Sequence, residues 1–214
     1  ELQPHIVARE WFGFDGFEQT RYIHIDNAIA MQNGGFLSTV VNLRREGLQE
    51  PFEISEGIFL PATTYDFAEG MVRFNTDPSA VLSLQSEVTV GSFFSGNRRS
   101  ASGTVTHRLG STWTAALKVN YNDVDLDEGS FDRTLLGLRV AYAFTPRMYL
   151  QSLIQYDNDS DDVFANVRFG WLNTAGTGLF LVYNEVQRTG AVFPDGPRDR
   201  TFIVKYNRQF NLTK

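Results

Sequence analysis

Three aspartates alternate in the stretch NYNDVDLDEGSFDR, residues 120–133: Asp123, Asp125 and Asp127, with Glu128 adding a fourth carboxylate and Gly129 following. Alternating carboxylates ahead of a glycine open a calcium loop of the type D-x-[DN]-x-[DN]-G, whose twelfth position supplies a Glu that binds through both oxygens. Here Glu128 stands where the glycine belongs, Gly129 comes one residue late, and the twelfth position is Thr134, which has no carboxylate. The flanking pattern is also that of strands rather than helices. Asp123, Asp125 and Asp127 are thus the metal candidates by type and spacing, while the stretch as a whole reads as a solvated hairpin tip. The run DNDSDD, Asp157 to Asp162, reads the same way, with divalent bridging to lipopolysaccharide phosphates as a separate use. No cofactor is expected.

Catalytic constellations are poorer still. His5, His24 and His107 lie far apart in the chain, and no G-x-S-x-G nucleophile motif is present. Ser102 and His107 share one strand pattern, but His107 falls with Val105 and Leu109 on its apolar side, where a packing or interfacial histidine belongs. Paired glycosidase carboxylates could be drawn from the loop acids, and nothing in the spacing selects a pair. The chain has no Cys, which excludes thiolate catalysis, Cys-ligated zinc and disulfides. A net charge of −6 argues against nucleic acid, whose phosphates require a basic surface. The expectation is a protein that is not an enzyme.

The elements that carry these residues repeat with period two. In Thr112 to Asn122, Trp113, Ala115, Leu117, Val119 and Tyr121 share one face, opposite Thr114, Ala116, Lys118 and Asn120. Leu136, Leu138, Val140, Tyr142 and Phe144 then oppose Arg133, Gly137, Arg139 and Ala141; Met148, Leu150, Ile154 and Tyr156 oppose Gln151 and Gln155. Val163, Ala165, Val167, Phe169 and Trp171 oppose Asn166, Arg168 and Gly170, and Phe202, Val204, Tyr206 and Phe210 oppose Thr201, Lys205, Asn207 and Gln209. The run GLFLVYNEV is apolar on both faces and leaves its orientation open. Noisier candidates cover 5–14, 20–31, 35–46, 65–75, 81–93 and 97–109, giving twelve strands and no convincing helix over one domain, 1–214.

Alternation alone does not separate a soluble sandwich from a membrane barrel; connection lengths help. From the long EGLQEPFEISEGIFLPATT onward, every second connection is longer and often acidic (FSGN, DVDLDEGS, DNDSDD, TGAVFPDGPRD), and those between (TDPSA, GST, TP, TAGTG) are tight. Outer-membrane barrels are built with short turns on one side and long loops on the other. Strands of about 9–11 residues suit a tilted membrane strand. Trp113, Tyr121, Tyr142, Phe144, Tyr156 and Trp171 end the apolar faces, where an interfacial aromatic girdle sits. The opposite face carries Arg73, Glu87, Arg108, Lys118, Arg133, Arg139, Gln151, Gln155, Arg168 and Lys205, the expected lumen lining, where charges either form a solute-selecting field or cross-link. The Arg excess suggests a preference for anions or sugar acids. The last strand would finish on the aromatic Phe210, close to the end as assembly signals of such barrels require, though NLTK follows it.

The ordered fragments EPFEI, FNTDPSA, GSFFSGNRRS, NDVDLDEGSFD, LRVAYAFTPRMYL, IQYDNDSDD, NVRFGWLNTAG and LFLVYNE, spread over roughly Phe36 to Lys205, resemble the C-terminal region of the bacterial outer-membrane domain-of-unknown-function family 5916. Members commonly carry a carbohydrate-binding family 9-like sandwich before a barrel, so the resemblance implies further barrel strands and that sandwich ahead of Glu1 in a full-length member. Two positions depart from the family pattern: Asp127 replaces a usual Pro in V-x-L-P-x-G-x-F, and Thr64 stands where a Gly often precedes Tyr65. The family offers no catalytic residues to carry over, and sugar binding belongs to its absent domain.

These readings converge on an antiparallel up-and-down transmembrane β-barrel of about twelve strands, whole or the C-terminal part of a larger one, in a bacterial outer membrane. It would act as a passive pore or as the membrane anchor of a larger surface or periplasmic assembly. Its partners would be outer-membrane lipid, lipopolysaccharide and other subunits of an envelope complex. Two rivals from other classes are a soluble β-sandwich carbohydrate-binding module and an outer-membrane hydrolase with its site in the loops.

Overall fold

Each period-two run forms a strand. The computed structural model describes residues 1–173, 177–188 and 197–209, and no helix occurs among them. In chain order the strands are β1 Leu2–Phe12, β2 Glu18–Ala30, β3 Phe36–Gly47, β4 Phe52–Ser55, β5 Ile58–Leu60, β6 Thr64–Asn75, β7 Leu82–Phe93, β8 Gly96–Leu109, β9 Trp113–Leu126, β10 Gly129–Thr145, β11 Met148–Asp157, β12 Asp162–Leu172, β13 Gly178–Arg188 and β14 Pro197–Asn207. Twelve of them make one sheet in the order β1-β2-β3-β6-β7-β8-β9-β10-β11-β12-β13-β14, and β4-β5 form a separate hairpin. Each main-sheet strand thus lies beside its sequence neighbour, the wiring of an all-β antiparallel meander. Among the described residues β1 and β14, the two ends of that order, are not paired with each other. Contacts cluster into two units. The first holds Glu1–Ser79, Ser83–Gly103 and Asn120–Arg133, the second Ala80–Leu82, Thr104–Val119 and Thr134–Lys214.

The connections differ from expectation in an informative way. The acidic stretch DVDLDEGS is not a long loop: β9 and β10 run through it, leaving only Asp127–Glu128 between them. The aspartates alternate with apolar residues, so Asp123 and Asp125 share one face of β9 while Val124 and Leu126 fill the other, 2% and 6% exposed. The strand period therefore outlasts the acidic composition. Gly129 follows the turn at φ 149°, and a side chain there would press on Ile58. FSGN likewise shrinks to a turn at Phe94–Ser95, with Phe94 held at φ 47°. The long connection 48–63 is not free loop either, since it carries the β4–β5 hairpin and is closed at its base by Leu48 N donating to Thr63 O at 2.9 Å. Most of 189–199 and the terminal aromatic Phe210 fall outside the described residues.

The hairpin explains where the first unit keeps its core. Leu60, 0% exposed, packs with Tyr65 and Phe67 of β6 and Val124 and Leu126 of β9, and Ile54, Ile58, Phe93, Phe94 and Phe131 close around them. Phe94 meets Tyr65 at 5.3 Å and Phe67 at 5.2 Å between ring centroids, so aromatic packing holds its left-handed backbone. The register also orients the run GLFLVYNEV: Leu181 lies opposite Phe169 and Val204, and Val182 opposite Arg168 and Ile203. Leu179, Leu181 and Tyr183 thereby join the apolar face.

Truncating Leu60 removes the hairpin's main anchor. Leu60→Ala is expected to cost about 2–5 kcal/mol and to speed proteolytic cleavage within 48–63, read by limited proteolysis and by the urea midpoint. Phe59→Ala, on the exposed side of the same strand, leaves both readouts near wild type.

Candidate functional site

The two faces of the sheet differ in chemistry. In the first unit one face carries Ile23, Ile25, Val41, Leu43, Val72, Val88 and Val90, most of them well exposed, with Val90 at 52%. The other face buries polar groups: Ser38, Asn42, Glu69, Ser83 and Thr89 are all covered. The second unit repeats the exposed apolar face with Val105, Leu117, Leu136, Leu138, Leu150, Ile154, Phe202 and Val204. A soluble sheet does the reverse, and a buried polar group without a partner costs about 1–3 kcal/mol.

The first unit meets that cost by pairing across strands. Glu69, 2% exposed, sits opposite Asn42 on β3 and accepts from Arg98 Nε at 2.8 Å, with Arg98 Nη2 also on the same carboxylate oxygen. The Arg98 guanidinium in turn covers the Phe93 ring at 4.3 Å. Arg73 and Glu87, both expected on this face, are register partners, and Arg73 Nε donates to Glu87 at 2.6 Å. Arg133, also expected here, reaches the hairpin and donates to Ser55 Oγ at 3.0 Å. Ser100 Oγ donates to Asn122 Oδ1 at 2.7 Å, within a polar cavity of about 250 Å³ that Glu87, Thr89, Ser102 and Asn120 also line. In this unit the predicted charges are cross-links.

The second unit keeps Lys118, Arg139, Gln151, Gln155, Arg168 and Lys205 on strands where apolar residues alternate with them. Gln151 lies opposite Ala141 and Arg168, and Gln155 opposite Gly137 and Phe164. Arg139, Gln151 and Asn166 line a cavity of about 140 Å³. Arg168 lies over the Phe180 ring at 5.7 Å, and Asn166 donates to Asn184. Among the described residues no carboxylate pairs with Lys118, Arg139, Arg168 or Lys205. Arg108 stands on the same alternation of β8 and engages a partner.

The expected girdle residues lie on the apolar face. Trp113, Tyr142, Phe144 and Trp171 sit at the strand ends next to the tight turns, with Trp113 edge-on to Tyr142 at 6.3 Å and Tyr142 edge-on to Phe144 at 4.8 Å. Tyr156 lies at the opposite end of its strand, opposite Leu136 and Val163, and Tyr121 lies on β9 of the first unit.

The three alternating aspartates do not converge on an ion. Asp123 and Asp125 line a cleft of about 430 Å³ with Asn97, Arg98, Arg99 and Ser130. In DNDSDD two side chains shape the turn: Asp159 N donates to Asp157 Oδ1 at 2.9 Å, and Thr134 N to Asn158 Oδ1 at 2.7 Å. Ser102 faces the polar cavity while His107 is exposed among Val105 and Leu109, so the pair does not meet. Turn carboxylates elsewhere behave alike. Ser79 donates through Oγ and N–H to Asp77, holding that carboxyl below the usual range. Sequence reading missed Glu69, Arg98 and Asn42, and saw His5 and His24 only as residues far apart in the chain, because groups that meet across noisy strands leave no periodic signal; pairing them needs the register. Among the described residues, one group of three metal-ligand types does converge: His5, His24 and Asp26, with ligand atoms within 4.8 Å of one another.

The Glu69–Arg98 pair predicts an asymmetric mutational response. Arg98→Met strands a buried carboxylate and should cost about 3–5 kcal/mol by urea unfolding, while the double change Glu69→Gln with Arg98→Met recovers much of that loss. Comparison of the chain with protein-family models, with characterised proteins and with solved structures finds no match.

Proposed function

We propose that this chain is a transmembrane β-barrel, or part of one, in a Gram-negative outer membrane, with the apolar face toward lipid and the polar face toward a lumen. One observation carries the reading: in the first unit the exposed face is the apolar one and the polar face buries and pairs its groups, and the second unit continues the exposed apolar face. Along that exposed face no charge interrupts Ile23–Ile29 of β2, Leu37–Leu43 of β3, Val72–Phe74 of β6 or Leu82–Val90 of β7 at the alternating positions. In β9 to β12 the same holds from Trp113 to Tyr121, Leu136 to Phe144, Met148 to Tyr156 and Val163 to Trp171. In the first unit its charges gather at the strand ends beside the long connection, where Arg45 grips Asp66 through two 2.7 Å bonds and Arg21 reaches Glu10 at 3.0 Å. An uncharged band flanked by aromatic rows is what a lipid-facing sheet requires. In such a membrane its partners would be lipopolysaccharide and other envelope subunits.

Within that reading the barrel serves as a passive pore with a preference for anions. Support comes from Lys118, Arg139, Arg168 and Lys205, cations on the polar face of the second unit that have no carboxylate partner among the described residues. The cross-linked charges and inward-packed hairpin of the first unit favour a second reading, a closed membrane anchor for a larger assembly.

The first test is solvent. Extracted with detergent, the protein should migrate faster on a gel unheated than boiled, and it should aggregate when detergent is withdrawn. A monodisperse folded protein in plain buffer would refute the membrane reading. In planar bilayers a pore gives conductance steps with anions favoured, and Arg139→Glu with Arg168→Glu should reverse or abolish that preference; absence of steps favours the anchor.

A further inference from the structure

We infer that His5, His24 and Asp26 form a binding site for one divalent transition-metal ion of the zinc type, on the polar face of β1 and β2. The inference stands apart from the membrane reading, since it needs only the register of two adjacent strands. His5 lies directly opposite Asp26, and His24 is two residues from Asp26 on the same face of β2. His5 Nδ1 is 3.2 Å from Asp26 Oδ1, and His24 Nε2 is 3.4 Å from Asp26 Oδ2. Zinc bonds to nitrogen and oxygen of about 2.0–2.1 Å, arranged tetrahedrally, set ligand atoms about 3.3 Å apart. The two His–Asp separations match that spacing, and all the ligand atoms lie within 4.8 Å of one another, close enough for small side-chain rotations to complete the shell.

A neighbouring strand orients the site. Asn42 of β3 is the register partner of His24 and is 4% exposed. Its Oδ1 lies 2.7 Å from His24 Nδ1 and 2.9 Å from the Tyr22 hydroxyl. An Nδ1–H donated to that oxygen fixes the tautomer and leaves the Nε2 lone pair facing Asp26, the arrangement by which outer partners prepare a ligating histidine. The Arg44 guanidinium lies over the Tyr22 ring at 4.8 Å. Asp26 Oδ1 is screened from water and takes no hydrogen bond. That oxygen lies beside His5 Nδ1, and a cation held between them would supply the partner it lacks. Two imidazoles and one carboxylate suit zinc, copper or nickel rather than calcium or magnesium, which prefer all-oxygen shells. Three protein ligands leave a fourth position for water. The bound ion would pin β1, an end strand of the sheet, to β2.

The metal-stripped full chain, kept in detergent micelles, is titrated with ZnCl₂ by calorimetry and with Co²⁺ by visible absorption. The expected result is one ion per chain, with the intense absorption bands of four-coordinate cobalt. His5→Ala and Asp26→Asn should each weaken binding at least about tenfold. His5 is 58% exposed on its side chain, so His5→Ala leaves the fold intact and keeps the test decisive. No saturable binding by the wild-type chain, or equal binding by His5→Ala, would overturn the site and leave a metal-free His–Asp network.

Discussion

A strand has two faces, and in the first unit the face left uncovered is apolar while the other buries Ser38, Asn42, Glu69, Ser83 and Thr89. Everything else follows from that inversion. Backbone polar groups are taken up by the ladder between sequence neighbours, so a meander of hairpins satisfies them without any buried loop. Side-chain polar groups are then confined to the other face, where they must be solvated or paired. Glu69 shows how tight that requirement becomes: at 2% exposure it is matched by Arg98, two strands along in the sheet order. Arg73 is matched by its direct register partner Glu87. The inversion thus sets the pairing rules, and the pairs in turn fix the register, because a one-residue slip would send each charge to the apolar side.

The β4–β5 hairpin is the exception that the same constraint produces. Residues 48–63 hold Leu48, Ile54, Ile58 and Leu60, too much apolar surface to leave in a water-exposed connection. They fold back on the face that bears Glu69 and Asn122, where Tyr65, Phe67, Phe93, Val124, Leu126 and Phe131 project from the strand ends. β9 and β10 extend to Asp127–Glu128 because this cluster rewards their last apolar residues with burial. Gly96 permits the approach: a Cβ there would strike the Asp125 carbonyl oxygen. The apolar cluster and the polar ladder therefore share one face, separated along the strand axis.

How much of this the sequence disclosed depends on what each residue's role rests on. Trp113, Leu117 and Tyr121, or Leu136 to Phe144, announce their strand and face through period alone, and the structure has them so. The aspartates at 123, 125 and 127 misled, because carboxylates are loop-formers by composition while Val124 and Leu126 between them kept the strand going. Arg73 and Glu87 were legible as members of one face but not as partners, since partnership needs the β6–β7 register. Glu69 and Arg98 were illegible, as were His5, His24 and Asp26 as a cluster. Each such group joins strands whose alternation is noisy, through a register no single strand encodes. Patterning constrains the chemistry of each face, whereas a solute depends on geometry across strands that no single strand encodes.

The remaining physical demand concerns the ends of the strand order. β1 and β14 are exposed along nearly their whole lengths, on both faces. In water such edges are tolerable when short or charged, but in hydrocarbon each unpaired N–H and C=O costs several kcal/mol, so an open edge cannot stand there. The membrane reading consequently requires both edges to be paired, with each other or with further strands. β1 carries Gln3, His5 and Arg9 on its polar side and Leu2, Ile6 and Phe12 on the other, the same alternation as the interior strands. Its outer face also carries Pro4, which offers no N–H to a further strand, and Glu10 near the end, both features of protected edges. The proposed lipid exposure of the sheet and the closure of its edges therefore form a single condition.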